Sequence, residues 1–164
     1  MRLFFLLNIG YTTFNIVDSQ ENILIDDSGT AVLADFGLTR VQHDLPDLLS
    51  STQNGGTIVY MSPELLSSRD GKSTKSSDVW ALGMVIYQVF TGNPPYFGRF
   101  ALTEICHSPP KLPSKPKNDS VKMGFTDELW DFLERSCWAP LARDRPTAQS
   151  CCRRLEDLRD RYGS

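Results

Sequence analysis

The chain has 164 residues, a net charge of −3 and 40% apolar residues. That suffices for one compact domain with a real core and is too little for two ordinary ones. No long block of like charge is present, which argues against a nucleic-acid footprint or a polybasic membrane patch. The four cysteines (Cys106, Cys137, Cys151 and Cys152) form no Cys-x-x-Cys pair, and the only histidines are His43 and His107. No four-ligand zinc set can be built from them, and they read as reduced core thiols of an intracellular, cytoplasmic protein.

Residues 1–17 carry one charge, Arg2, and a short apolar patch over residues 3–7. The patch could open a signal peptide, but polar Asn8, Tyr11, Thr12 and Thr13 interrupt the residues beyond it. The segment is also too short and too polar for a membrane span. Residues 22–25 and 30–34 are two β-prone runs around the turn composition Asp26-Asp27-Ser28-Gly29, which predicts a β-hairpin. Residues 39–57 are polar and aperiodic, a long loop of the kind that is usually functional.

A helix is predicted over residues 78–91, with Ser77 as N-cap, Asp78 at the positive end of its dipole, and Gly92 and Pro94-Pro95 as its stop. It has almost no polar face, so it belongs at the centre of the domain. A short helix over residues 100–106 and a proline- and lysine-rich connection over residues 109–116 come next. Thr126 caps a helix over residues 127–137. The last helix starts at Pro146 and runs to about Arg161, with Ala148, Cys151, Cys152, Leu155 and Leu158 as its inward stripe.

Two oxygen-bearing side chains flank the predicted hairpin. Asp35, in Asp35-Phe36-Gly37, comes after the second strand, and Asn22 starts the first. Brought together, an Asp and an Asn can hold Mg²⁺ through hard oxygen ligands. Read singly, each is as well explained by a turn or a cap.

From these residues on, the sequence resembles the protein-kinase family. Asn22-Ile23-Leu24-Ile25 through Asp35-Phe36-Gly37-Leu38-Thr39-Arg40 is similar to the end of the kinase catalytic loop and its metal-binding segment. Gly56-Thr57-Ile58-Val59-Tyr60-Met61-Ser62-Pro63-Glu64 resembles the end of the activation segment, with Ser62 where the family usually has Ala. Ser77-Asp78-Val79-Trp80-Ala81-Leu82-Gly83 resembles the start of the central helix. Cys137-Trp138 and Arg143-Asp144-Arg145-Pro146-Thr147 resemble the closing motif of tyrosine and tyrosine-kinase-like kinases.

The resemblance implies an α+β fold: a mainly helical C-terminal lobe with a short β-hairpin, spanning residues 20–164 after a divergent segment 1–19. It implies ATP and Mg²⁺ as cofactors, with Asn22 and Asp35 holding the metal ions, and a protein substrate or partner. Thr57 would line the substrate side, in a serine/threonine-specific pattern. Glu64 would pair with Arg145 in a buried ion pair. Asp78 would hydrogen-bond the catalytic-loop backbone besides starting its helix. Ser50, Ser51 and Thr52 fall in the loop that kinases often phosphorylate, or in a plain solvated loop.

The pattern also breaks. The family has an Asp five residues before the metal-binding Asn and a Lys three before it; here those positions hold Val17 and Ser19. Asp18 is the nearest carboxylate, one residue off the base position, and such a shift moves the backbone by ~3.3–3.8 Å. The first lysine is Lys72, and the only glycine before Gly29 is Gly10. Neither phosphate-contacting lysine nor a glycine-rich cover is therefore present. These absences predict weak or no ATP binding and no phosphoryl transfer by this chain. In the family the central helix packs against a helix that precedes the catalytic loop; here residues 1–17, with β-prone Tyr11, Thr12, Thr13, Phe14, Ile16 and Val17, hold that place, which predicts a bare flank on the central helix and self-association. A pseudokinase-type binding module and a fragment of an incomplete gene model are the alternatives.

Overall fold

The computed structural model describes residues 23–25, 27, 31–33, 58–67, 73–96, 111–117 and 124–162. These are largely helical. Two three-residue strands, β1 (Ile23–Ile25) and β2 (Ala31–Leu33), pair antiparallel, with Ile23 opposite Leu33, Leu24 opposite Val32 and Ile25 opposite Ala31. The helices are α1 (Pro63–Ser67), α2 (Lys75–Thr91), α3 (Asp127–Phe132) and α4 (Ala148–Tyr162).

The axis of the fold is α2. Its start differs from the sequence expectation, because Thr74 and not Ser77 is the N-cap. The run Ser73-Thr74-Lys75-Ser76-Ser77 offers four hydroxyls. Thr74 wins because Ser77, three residues on, completes a reciprocal pair. Thr74 Oγ1 accepts from the Ser77 N–H at 3.2 Å, and Ser77 Oγ accepts from the Thr74 N–H at 2.6 Å. At the other end Gly92 adopts φ 72° and donates its N–H to Gln88 O at 2.8 Å, a left-handed cap that glycine enters without strain.

Between these caps Ser77 to Ile86, Gln88 and Phe90 are all buried. The bare flank anticipated for this helix is therefore absent. Only Tyr87, Val89 and Thr91 on its last turns are half-buried, and the Tyr87 hydroxyl donates to Ser114 O at 3.1 Å. That bond ties down the proline-rich segment 111–117, whose Pro113 is buried and whose Leu112 packs on the core.

Thr126 caps α3 by accepting the Leu129 N–H at 3.1 Å. The helix expected over residues 127–137 is not uniform. After Phe132 it widens into a π-helical turn, Leu133–Cys137, closed by the Trp138 N–H donating to Leu133 O at 2.9 Å. The wider turn aims Leu133, Cys137 and Trp138 inward together, and all three are buried. The last helix also starts later than expected. Thr147 Oγ1 accepts the Ser150 N–H at 3.2 Å, and Pro146 stands just outside the helix. Its inward stripe is Cys151, Leu155 and Leu158, with Ala148 and Cys152 at the margin.

Where α2 meets the π-turn the packing leaves no room for a side chain at Gly83. A Cβ there would sit 2.6 Å from Trp138 Nε1 and 3.0 Å from Cys137 Cβ. Gly83→Ala gains helix propensity, yet the overlap with a fixed indole costs more. We expect a net loss of ~1–3 kcal/mol, read as a lower urea midpoint with an unchanged slope.

Candidate functional site

The segment that ends in α1 docks on the helical core at a polar point built around Arg145. A short 3₁₀ turn, Ala142–Asp144, delivers Arg145 to the core side, where its side chain is fully buried. Four of its five N–H groups have partners. Nη1 and Nη2 donate to the two Glu64 carboxylate oxygens at 2.6 and 2.8 Å, Nη1 also reaches Ser76 O at 3.0 Å, and Nε reaches Ala139 O at 3.0 Å. The guanidinium carbon lies 4.9 Å from the centroid of the Trp80 ring.

One side chain thus joins α1, the start of α2 and the turn after Trp138. The planar fork of arginine suits this task and a lysine ammonium does not. Burial opposes the charge on Glu64, whose side chain is 33% exposed. The hydrogen bonds from Arg145 and from its own backbone outweigh that, and hold the carboxyl below its ordinary value.

A second buried contact ties the same segment to α2. The Tyr60 hydroxyl donates to Gln88 Oε1, and both residues are buried. The residues around it, Ile58 and Val59, are core residues and Ser62 is fully buried. Asp78, also buried, accepts from Ser73 Oγ at 3.2 Å, and its N–H completes the first helical bond to Thr74 O.

Of the residues singled out in the sequence, the structure brings Glu64 and Arg145 together and puts Asp78 at the helix start a few residues from Ser76. Asp18, Asn22, Asp35, Thr57, Ser50, Ser51 and Thr52 lie outside the described residues, as does the helix expected over residues 100–106.

Sequence patterns gave no sign of the Tyr60–Gln88 bond, the backbone acceptors Ser76 and Ala139, or Trp80 beneath the guanidinium. Gln88 alone left a trace: it is the one amide in the apolar run of this helix, and a buried amide requires a partner. The arrangement is a frame that fixes one segment, residues 58–67, against a helical core.

A family model described as the protein kinase domain matches residues 19–155. Serine/threonine-protein kinase RUNKEL of Arabidopsis thaliana is 38% identical over 125 residues, which is 74% of this chain and 9% of that protein. Serine/threonine-protein kinase PkaA of Streptomyces coelicolor is 32% identical over 145 residues, 87% of this chain and 25% of that protein. Receptor-interacting serine/threonine-protein kinase 3 of Rattus norvegicus is 32% identical over 148 residues, 80% of this chain and 28% of that protein. The chain therefore spans a quarter or so, or less, of the length of these relatives.

Proposed function

The chain belongs to the protein-kinase domain family, and from that premise we propose that residues 20–164 are the helical, substrate-side part of a serine/threonine kinase whose 164 residues do not by themselves transfer phosphate. The observation that carries the first half is the docking of residues 58–67 on α2 through the Glu64–Arg145 fork. In a kinase the activation segment must be held against the helical core for a protein substrate to align, and this fork supplies such a hold. Thr57, next to that segment, is the substrate-side residue on this reading. The names of the relatives support serine and threonine as acceptors.

ATP with Mg²⁺ is the cofactor the family uses, the metal neutralising charge on the phosphates. Asn22 and Asp35 fit that role by chemistry, as an amide and a carboxylate with hard oxygens. In sequence, Asn22 directly precedes β1 and Asp35 comes two residues after β2, and the strand ends pair, with Ile23 opposite Leu33, which supports reading the two as a pair. Asp78, buried at the start of α2, is on this reading the residue that hydrogen-bonds the catalytic-loop backbone.

The second half of the proposal rests on the residues that precede β1. Val17 can neither accept a proton nor orient a hydroxyl, and Ser19 carries no charge. No lysine precedes Lys72. Phosphoryl transfer is mostly positioning and electrostatic stabilisation, and these residues provide little of either. The same Val17 favours a second reading, a kinase-fold module that binds a protein partner without catalysis. Reduced cysteines support a cytoplasmic setting for both.

Incubation of the purified chain with labelled ATP, Mg²⁺ and a mixed serine/threonine peptide substrate is expected to give no transfer above a protein-free blank. Turnover that Asp35→Ala abolishes would sink the inactivity proposal and make Asp18 the base to test next.

A further inference from the structure

We propose that Tyr162 is a phosphorylation site, modified by a separate tyrosine-specific protein kinase, and that the phosphate unfastens the end of α4 from α3. Among the described tyrosines, Tyr60 and Tyr96 are buried, and half-buried Tyr87 donates its hydroxyl to Ser114 O. Tyr162 is 50% exposed and is the last residue of α4. A modifying enzyme must reach the hydroxyl and some flanking backbone, and the last turn of a helix opens with far less free energy than a core.

The Tyr162 hydroxyl belongs to a latch. It donates to Glu128 Oε1 at 3.0 Å, while Arg161 Nη1 donates to Glu128 Oε2 at 2.9 Å and Arg154 Nη2 lies 3.5 Å from that same oxygen. Glu128 stands in the first turn of α3. One carboxylate therefore gathers three side chains of α4 and ties the last turns of that helix to α3. Glu128, Arg154 and Arg161 are each a third to a half exposed, so the latch faces solvent.

Phosphorylation inverts the charges that hold it. The γ-phosphoryl group of ATP passes to the Tyr162 oxygen. The O–H bond breaks, an O–P bond forms, the bond from phosphorus to the departing ADP breaks, and the proton goes to the modifying kinase's base and then to solvent. The phenol loses the hydrogen it gives Glu128 and gains a charge of about −1.5 to −2 beside that carboxylate. The phosphate oxygens compete for Arg154 and Arg161 with strong charge-assisted bonds. Both arginines share α4 with Tyr162, so the new pairing lies within one helix and leaves Glu128 on α3 without them. The phosphate also stands at the negative end of the α4 dipole, which loosens the last turn further.

The test treats the folded chain with Mg-ATP and a purified tyrosine-kinase domain of broad specificity, then maps phosphate by mass spectrometry. Phosphate is expected on Tyr162, with Tyr60, Tyr87 and Tyr96 unmodified. Amide hydrogen exchange is then followed over residues 157–162, because loss of an exposed latch shows locally and hardly moves global unfolding. Exchange there is expected to run several-fold faster in the phosphorylated chain and to return to its starting rate after a tyrosine phosphatase. Tyr162→Phe, which loses one hydrogen bond and gains no charge, should speed exchange less than the phosphate does. In Glu128→Gln, where the carboxylate is gone, exchange should be faster before any modification, and phosphorylation should add little. The proposal is overturned if Tyr162 takes no phosphate, or if its phosphorylation leaves exchange over residues 157–162 unchanged or slower.

Discussion

Replacement of Arg145 by alanine is expected to remove ~3–5 kcal/mol of stability, the usual cost of breaking one side of a buried ion pair. The cost has three identifiable parts. The Glu64 carboxylate loses both fork hydrogen bonds, Ser76 O and Ala139 O lose their guanidinium donors, and Trp80 loses the cation above its face. A domain of this size has only ~5–15 kcal/mol in total, so the variant should show a broad or greatly lowered urea transition. Arg145→Lys should recover less than half of the loss, because one ammonium cannot reach all three acceptors.

The same pair makes stability depend on acid. Glu64 is held below its unfolded value, so its contribution is complete above the ordinary glutamate range, near pH ~4.3, and is lost as pH falls through the lower folded value. Wild-type stability should therefore fall below that range by more than Glu64→Gln does. Equal acid sensitivity of the two proteins would show that other carboxylates carry the effect.

Trp138→Ala is the second large effect. The indole is fully buried between α2 and the π-turn, edge-on to Trp130 at 5.9 Å and 6.2 Å from Tyr87. Deleting it leaves a cavity that the rigid helix pair cannot close, at a cost of ~3–5 kcal/mol. Trp138→Phe separates shape from polarity. The Trp138 N–H finds no hydrogen-bond partner among the described residues, so removing it recovers a desolvation penalty that offsets part of the lost area. The phenylalanine variant should accordingly lose less than half as much as the alanine variant. Equal losses would mean that the indole outline, rather than bulk, holds the two helices. The Gly83→Ala clash should also shrink in the Trp138→Ala background, since its nearest atom is then gone.

Much of this frame was legible in the sequence because it is written in local signals. The apolar run of α2, its stop at Gly92 and Pro94-Pro95, the Thr126 cap and the stripe of α4 each occupy one turn or one helix. The Glu64–Arg145 meeting was legible only through motif order, since 81 residues separate the partners and no periodicity links them.

What escaped was set by tertiary fit. Five neighbouring residues with four hydroxyls left the cap of α2 open by three positions, and only the reciprocal bond of Thr74 with Ser77 decides it. Nothing in Leu133-Glu134-Arg135-Ser136-Cys137 announces a wider turn. Gly83 reads as a weakness in a helix until Trp138, far along the chain, fills the space it leaves. The proposed metal pair, Asn22 and Asp35, falls outside the described residues, so the chemical end of the site still stands on its motif.

The most direct test of the whole account is a heat-unfolding scan of the purified 164-residue chain with and without Mg-ATP. The proposal that this chain does not by itself transfer phosphate predicts one cooperative transition that Mg-ATP leaves in place. A midpoint that rises with Mg-ATP would reveal a working nucleotide site and contradict the account, and so would the absence of any cooperative transition.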